Sequence, residues 1–198
     1  MPQTPPARTD AAPLRPAAPI AIAVLDACVL YAMYLRDTLL RAAEQRLYRA
    51  RWSPDILEEV ERNFALRAGP QSAAALVVVM REAFPEASVL DYEPFITTMT
   101  TDIKDRHVVA AAVACRAQLI ITDSLLDFPP AALAPWQIEA QSADTFLCHL
   151  LETQPSVVMQ LLIDQAADYL HPPLDLLALL ERLEKQAPKF VTAVRQAL

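Results

Sequence analysis

Residues 101–129 read TDIKDRHVVAAAVACRAQLIITDSLLDFP and decide the fold, as acid, helix, strand, acid. Asp102 and Asp105 precede Val108, Val109, Ala112 and Val113, apolar positions at helical spacing that Arg116 and Gln118 bring to a close. Leu119-Ile-Ile121 then reads as a short buried strand. Thr122 and Asp123 fall where that strand ends, and Asp127 follows one short loop later. In an open α/β sheet, ligands gather outside the carboxyl ends of the strands. A carboxylate at a helix start is favoured by the helix dipole. Asp105 and Asp123 are therefore expected to face one crevice.

Working outward toward the N-terminus, Ile20–Leu25 predicts a first strand of a central parallel sheet and ends directly on Asp26. Asp at such a place often caps the next turn. The end of a buried first strand is also a favoured site position, and function outweighs capping here. A helix is predicted over residues 36–48, with Leu39, Leu40, Ala43 and Leu47 inward. Ser53-Pro54 opens the next, with Ile56, Leu57, Val60 and Phe64 inward and Glu58 and Glu61 on a solvated face. Gly69-Pro70 ends it. A helix over 71–84, a short strand at 88–90 and a polar loop over 91–101 lead into the central stretch. Beyond it, 136–139 predicts a last strand and Ser142 a helix start. Residues 155–169, 173–186 and 188–198 form three amphipathic helices punctuated by proline, an appendage that packs on the sheet domain or on a second copy. Residues 1–19, rich in Pro and Ala, are expected to form a disordered tail. The expected division is 1–19 tail, 20–152 sheet domain and 153–198 helical extension.

With 198 residues, 54% of them apolar, the chain can bury a sizeable core. Its net charge of −7 argues against a protein that coats nucleic acid, while leaving room for an enzyme that cleaves it through local patches. Gly69 is the only glycine, which excludes the Rossmann fingerprint and the P-loop. Cys28, Cys115 and Cys148 lie far apart beside apolar segments, the pattern of buried thiols rather than a zinc site. No apolar run is long enough to span a bilayer and no signal pattern opens the chain, so a cytoplasmic protein is expected.

Asp26, one glutamate of the Ser53-Pro54 helix, Asp105, Asp123 and Asp127 bring four or five carboxylates to one α/β scaffold. Held close, such acids repel and take up protons unless a cation neutralises them. Oxygen-only ligands point to Mg²⁺ or Mn²⁺ rather than zinc. A site of this composition suits phosphodiester hydrolysis.

Four segments carry a resemblance: LDACVLY (25–31), WSPDILEE (52–59), DRHVVAAA (105–112) and ITDSLLDFP (121–129). In this order and spacing the chain, over roughly residues 20–150, resembles PIN-domain nucleases of the VapC-like toxin type. The resemblance implies a PIN-like three-layer α/β/α fold with a central, mainly parallel sheet, here with a C-terminal helical extension. It further implies a Mg²⁺- or Mn²⁺-dependent endoribonuclease, usually a homodimer, silenced by a small DNA-binding antitoxin. Carried over by residue, Asp26, Glu59, Asp105 and Asp123 are the acids of the site, and Asp127 a further ligand or loop-shaping residue. Asp102 is expected to cap a helix and His107 to be a satisfied structural histidine. Arg36, Arg62 and Arg106 are candidates for RNA phosphates or, equally, for pairing with a neighbouring acid. Ser124 departs from the Asn that relatives often carry. Within the fold the alternatives are RNA processing, action on DNA, or a non-catalytic scaffold binding RNA or protein. A receiver domain would need a lysine after a late strand, and a haloacid-dehalogenase-type phosphatase an Asp where Cys28 stands.

Overall fold

The first strand is the centre of the molecule. In the computed structural model, which describes residues 20–198, it spans Ile22–Leu25 (β1). The expected tail over 1–19 lies outside the described residues. β1 pairs in parallel with Arg49–Arg51 (β2) on one side and with Leu119–Ile121 (β3) on the other. Glu139–Gln141 (β4) pairs in parallel beyond β3, giving the order β2-β1-β3-β4. Parallel strands are covered on both faces, and Ala23, Val24, Leu25, Ile120 and Ile121 are accordingly sealed from solvent.

The helices follow the predicted pattern, with shifted ends. Ala27–Tyr31 (α1) and Met33–Glu44 (α2) follow β1. The second stops at Glu44 rather than running on to residue 48, because Arg46 adopts φ 57 and turns the chain into β2. That strand was not anticipated: Arg-Ala-Arg carries no apolar run, and its arginines suit an edge that must not pair further. Pro54–Ala68 (α3) begins as expected, Ser53 Oγ accepting from the Ile56 amide at 3.3 Å. It ends at Gly69, whose φ of 84 favours glycine, and Pro70–Ala83 (α4) follows at once.

Residues 88–90 make a single bridge, Ser88 to Trp52, instead of a strand. The loop before the central stretch contains one helical turn, Glu93–Ile96 (α5). Arg106–Ala114 (α6) leads to β3, as read. Pro130–Leu133 (α7) precedes β4, which starts at Glu139 because Gln137 takes a left-handed φ of 57 before the chain joins the sheet. Ala143–Thr153 (α8) is capped by Ser142, whose Oγ accepts from Thr145 N at 3.1 Å.

Pro155–Asp168 (α9), Leu176–Leu183 (α10) and Pro188–Ala197 (α11) complete the chain. They bury their apolar faces against the same chain. Leu162, Leu179, Leu180, Leu183, Phe190 and Val194 belong to one hydrophobic cluster with the sheet residues. Two polar anchors fix the arrangement. Buried Gln165 of α9 places Oε1 2.8 Å from the Thr38 hydroxyl and donates through Nε2 to the Tyr34 carbonyl at 3.0 Å, tying α9 to α2. Buried Asp144 of α8 accepts from the amides of Phe190 (2.8 Å) and Lys189 (3.2 Å). It caps α11 from a different helix, since the residue at the α11 cap, Ala187, carries only a methyl group that cannot accept a hydrogen bond. Among the described residues no single helix is long and apolar enough to cross a membrane.

Removing that cap leaves the buried Phe190 amide and the partly buried Lys189 amide without their acceptor. Asp144→Ala is expected to cost about 2 kcal/mol in urea unfolding, and Asp144→Asn, which keeps one acceptor oxygen, less.

Candidate active site

Adjacent parallel strands that end together place their next residues side by side. Leu25 of β1 is in register with Ile121 of β3, so Asp26 and Thr122 emerge as neighbours. The Asp26 amide donates to the Ile121 carbonyl at 3.0 Å, continuing the pairing by one residue. Its carboxylate is held from two sides. Oδ1 accepts from the Ala27 amide at 2.7 Å, and Oδ2 accepts from the Thr122 hydroxyl at 2.7 Å and the Cys28 thiol at 3.2 Å. Asp26 thus caps α1 and stands at the strand end at once, and the two readings of it are compatible. Burial first, and then the neighbouring Asp26 carboxylate, push the Cys28 thiol up to about 12, so it stays protonated and able to donate.

A crevice of about 430 Å³ opens in front of these strand ends. Asp26, Asp55, Glu58, Glu59, Asp105 and Asp127 line it, with Arg62 and Lys104 as the cations. Four segments distant in sequence meet here: the end of β1, one face of α3, the turn before α6, and the turn over Leu125–Asp127 after β3. Asp55, Glu58, Glu59 and Arg62 share that α3 face because residues three and four apart are neighbours on a helix. Glu58 is exposed, as expected of a solvated face, and in addition forms part of the crevice wall. Asp55 was missed, although its helical spacing to Glu58 and Glu59 was a signal that could have found it.

Asp123 stands apart from this wall. Its Oδ1 accepts from the Ala143 amide at 3.3 Å, at the start of α8, while its own amide donates to the Cys28 sulfur at 3.3 Å. Ser124 lines the crevice in its place. Burial raises the Asp123 carboxyl above its ordinary value, the Ala143 amide opposes that, and Asp144 and Asp26 add to it.

Three smaller expectations change. Asp102 accepts from the Lys104 amide at 3.1 Å within a turn rather than capping a helix. His107 has Nε2 4.0 Å from Glu59 Oε2, but its Nδ1 is buried without a hydrogen-bond partner among the described residues, so it is not fully satisfied. Arg36 is buried and donates to the Leu30 carbonyl at 2.7 Å, and Arg106 donates to the Thr101 carbonyl at 3.1 Å. Of the arginines singled out for phosphate, Arg62 alone reaches the crevice.

Among the described residues Lys104 is the lysine paired with these acids. Lys104 Nζ lies 3.2 Å from Asp127 Oδ2 and 3.7 Å from Asp105 Oδ2. The Asp105 carboxyl is raised mainly by burial; Lys104 lowers it, and Asp127, Asp26 and Asp102 raise it further. The donor chemistry fits a hard divalent cation: the acids offer oxygen only, and Asp105 Oδ2 is buried without a hydrogen bond among the described residues. Among the described residues no three His, Cys, Asp or Glu side chains are grouped closely enough to hold an ion as they stand. The exposed Lys104 ammonium offsets part of the acids' charge.

A raised folded-state pKa gives a definite sign. The folded chain holds the Asp105 proton more tightly than the unfolded one. Its contribution to stability is therefore present below about pH 4, the ordinary range near 3.8, and is lost as pH rises through the raised value. In excess chelator, Asp105→Asn is expected to melt above the wild type at pH 7, with the difference shrinking toward pH 4 in thermal scans.

Known proteins resemble this chain in two stretches. A PIN domain model matches residues 23–124, a span that includes Asp26, Glu59, Asp105 and Asp123. A model described as the VapC50 C-terminal domain matches residues 143–196, the stretch that forms α8 to α11. The chain is 36% identical over 110 residues to "Putative ribonuclease VapC50" of Mycobacterium tuberculosis (strain H37Rv). That alignment covers 56% of this chain and 65% of the relative, so the matched part spans less than two thirds of it. No solved structure matches the chain. With the PIN model matching more than half of its length, and a parallel sheet whose strand ends open on an acidic crevice, the chain belongs to the PIN domain family.

Proposed function

We propose that this chain is a divalent-metal-dependent endoribonuclease, and that it serves as the toxin of a type II toxin–antitoxin pair. One observation carries the nuclease reading: carboxylates from four separate segments share a crevice at the carboxyl end of a parallel sheet in a PIN-family chain. The toxin role is supported by the likeness to a protein named as a VapC ribonuclease. With it come RNA as substrate, a cytoplasmic setting, a homodimer, and a small DNA-binding antitoxin as partner.

In this reading Asp26, Glu59 and Asp105 hold Mg²⁺ or Mn²⁺, with Asp127 beside them, and Asp123 is the fourth acid, set behind the crevice wall after β3 and held by the Ala143 amide. When bound, the ion neutralises the carboxylates and supplies the Lewis acidity that phosphodiester hydrolysis needs. The chain's own groups do the positioning. The Ala27 amide and Thr122 hydroxyl fix the Asp26 carboxylate so that it cannot rotate away. Arg62, at the crevice wall, is placed to fork onto a backbone phosphate. Lys104 withdraws from Asp105 and Asp127 toward solvent, which its exposed position permits.

Purified protein is expected to cut RNA with Mn²⁺ and to stop on addition of chelator. Asp26→Asn and Asp105→Asn should each lower the cleavage rate by roughly a hundredfold or more. Glu61→Gln, outside the crevice, should cut at the wild-type rate. Equal cleavage by all three variants contradicts the reading. For the toxin role, induced expression is expected to arrest growth, Asp26→Asn to abolish the arrest, and co-expression of a short neighbouring DNA-binding frame to relieve it.

A further inference from the structure

An acid-lined crevice repels a polyanion, so most of the affinity for RNA has to come from elsewhere on the chain. A second cleft, of about 750 Å³, lies where α10 meets α1, α2 and the far end of α3. Its walls combine half-buried aromatic rings, Tyr31, Tyr34 and Phe64, with the exposed cations Arg67, Arg182 and Lys185; Glu181 is the one acid among them. Tyr31 and Phe64 meet edge to face, with ring centroids 6.4 Å apart, and the Arg182 guanidinium lies 6.0 Å from the centroid of the Tyr34 ring. Among the described residues Arg67, Arg182 and Lys185 form no ion pair. The cleft is therefore locally positive on a chain of net charge −7.

The two clefts share the same helices. Cys28 and Tyr31 lie on α1, and Glu59, Arg62, Phe64 and Arg67 follow along α3. From Glu59 to Arg67 the helix advances roughly 12 Å at 1.5 Å per residue, with Arg62 between. A strand whose phosphate sits at the acids can follow this line into the basic cleft. Aromatic faces interleaved with cations suit unstacked bases and their phosphates, while a duplex keeps its bases stacked and out of reach.

The geometry points to this cleft as a binding subsite for the single-stranded RNA segment that flanks the cleaved bond, built jointly by α3 and the C-terminal helix α10. The inference rests on the nuclease reading for its substrate, and its own content is the assignment of Tyr31, Tyr34, Phe64, Arg67, Arg182 and Lys185 to strand binding.

The test is fluorescence anisotropy of a short labelled oligouridylate with the full chain in excess chelator, so that binding is read without cleavage. A charge variant combining Arg67→Gln, Arg182→Gln and Lys185→Gln is expected to bind roughly tenfold more weakly, with a salt dependence flatter by about 2 in log–log slope. Tyr34→Leu should weaken binding roughly tenfold with an unchanged slope. Melting curves check that each variant is folded. Should Tyr34→Leu fail to fold, the charge variant, altered only at exposed positions, decides alone. Unchanged affinity and slope in the charge variant overturn the assignment. So does a duplex RNA of the same length binding as tightly as the single strand, or a charge variant that loses an acidic peptide but not RNA. The two readings fail separately. A wild type that binds through the cleft without metal-dependent cutting sinks the nuclease and leaves the cleft. A charge variant that binds and cuts like the wild type sinks the cleft and leaves the nuclease.

Discussion

The parallel pairing of β1 with β3 is the constraint on which the rest of the molecule depends. Because Leu25 and Ile121 are in register, Asp26 and Thr122 leave the sheet side by side and join through a 2.7 Å hydrogen bond. The Ala27 amide holds the other carboxylate oxygen, so the first acid is fixed before any other group is considered. Glu59 from α3, Asp105 from the turn before α6 and Asp127 from the turn after β3 are arranged around that fixed point. Gathering them has a physical cost: burial and like charges raise the Asp105 carboxyl, and Lys104 offsets part of this. Such strain against stability is characteristic of sites kept for chemistry.

The C-terminal helices are integral to this arrangement. Gln165 ties α9 to α2, and Asp144 caps α11 from within α8, so two buried polar anchors set helices that apolar burial alone would leave free to slide. Once docked, α10 presents Arg182 and Lys185 opposite Arg67 of α3. The result is a division of charge that the net value conceals, with acids gathered at the strand ends and cations gathered at the helical junction.

Much of this was legible in the sequence, for identifiable reasons. β3 matched its reading residue for residue because Leu-Ile-Ile is bounded by polar breaks on both sides. The α3 start was given by Ser53-Pro54, a local signal with a local cause. β2 was not legible, since Arg-Ala-Arg becomes a strand only because β1 offers it an edge. Asp55 and Glu58 were readable in principle from helical spacing but carried no motif. Asp123 shows the other limit: its place at a strand end was correct, yet the direction of its carboxylate depends on the α8 amide at Ala143, which no neighbouring residue in the sequence announces. The basic cleft was invisible for the same reason, since Tyr34, Phe64 and Arg182 meet only in three dimensions.

The central claim is that the strand-end acids converge on a divalent cation in place of Lys104. Anomalous scattering from crystals grown with Mn²⁺ tests it most directly. The account predicts a peak in the crevice with carboxylate oxygens of Asp26, Glu59 and Asp105 as ligands and the Lys104 ammonium displaced toward solvent. A crevice with no peak at saturating Mn²⁺, and with Lys104 still bridging Asp105 and Asp127, would contradict it.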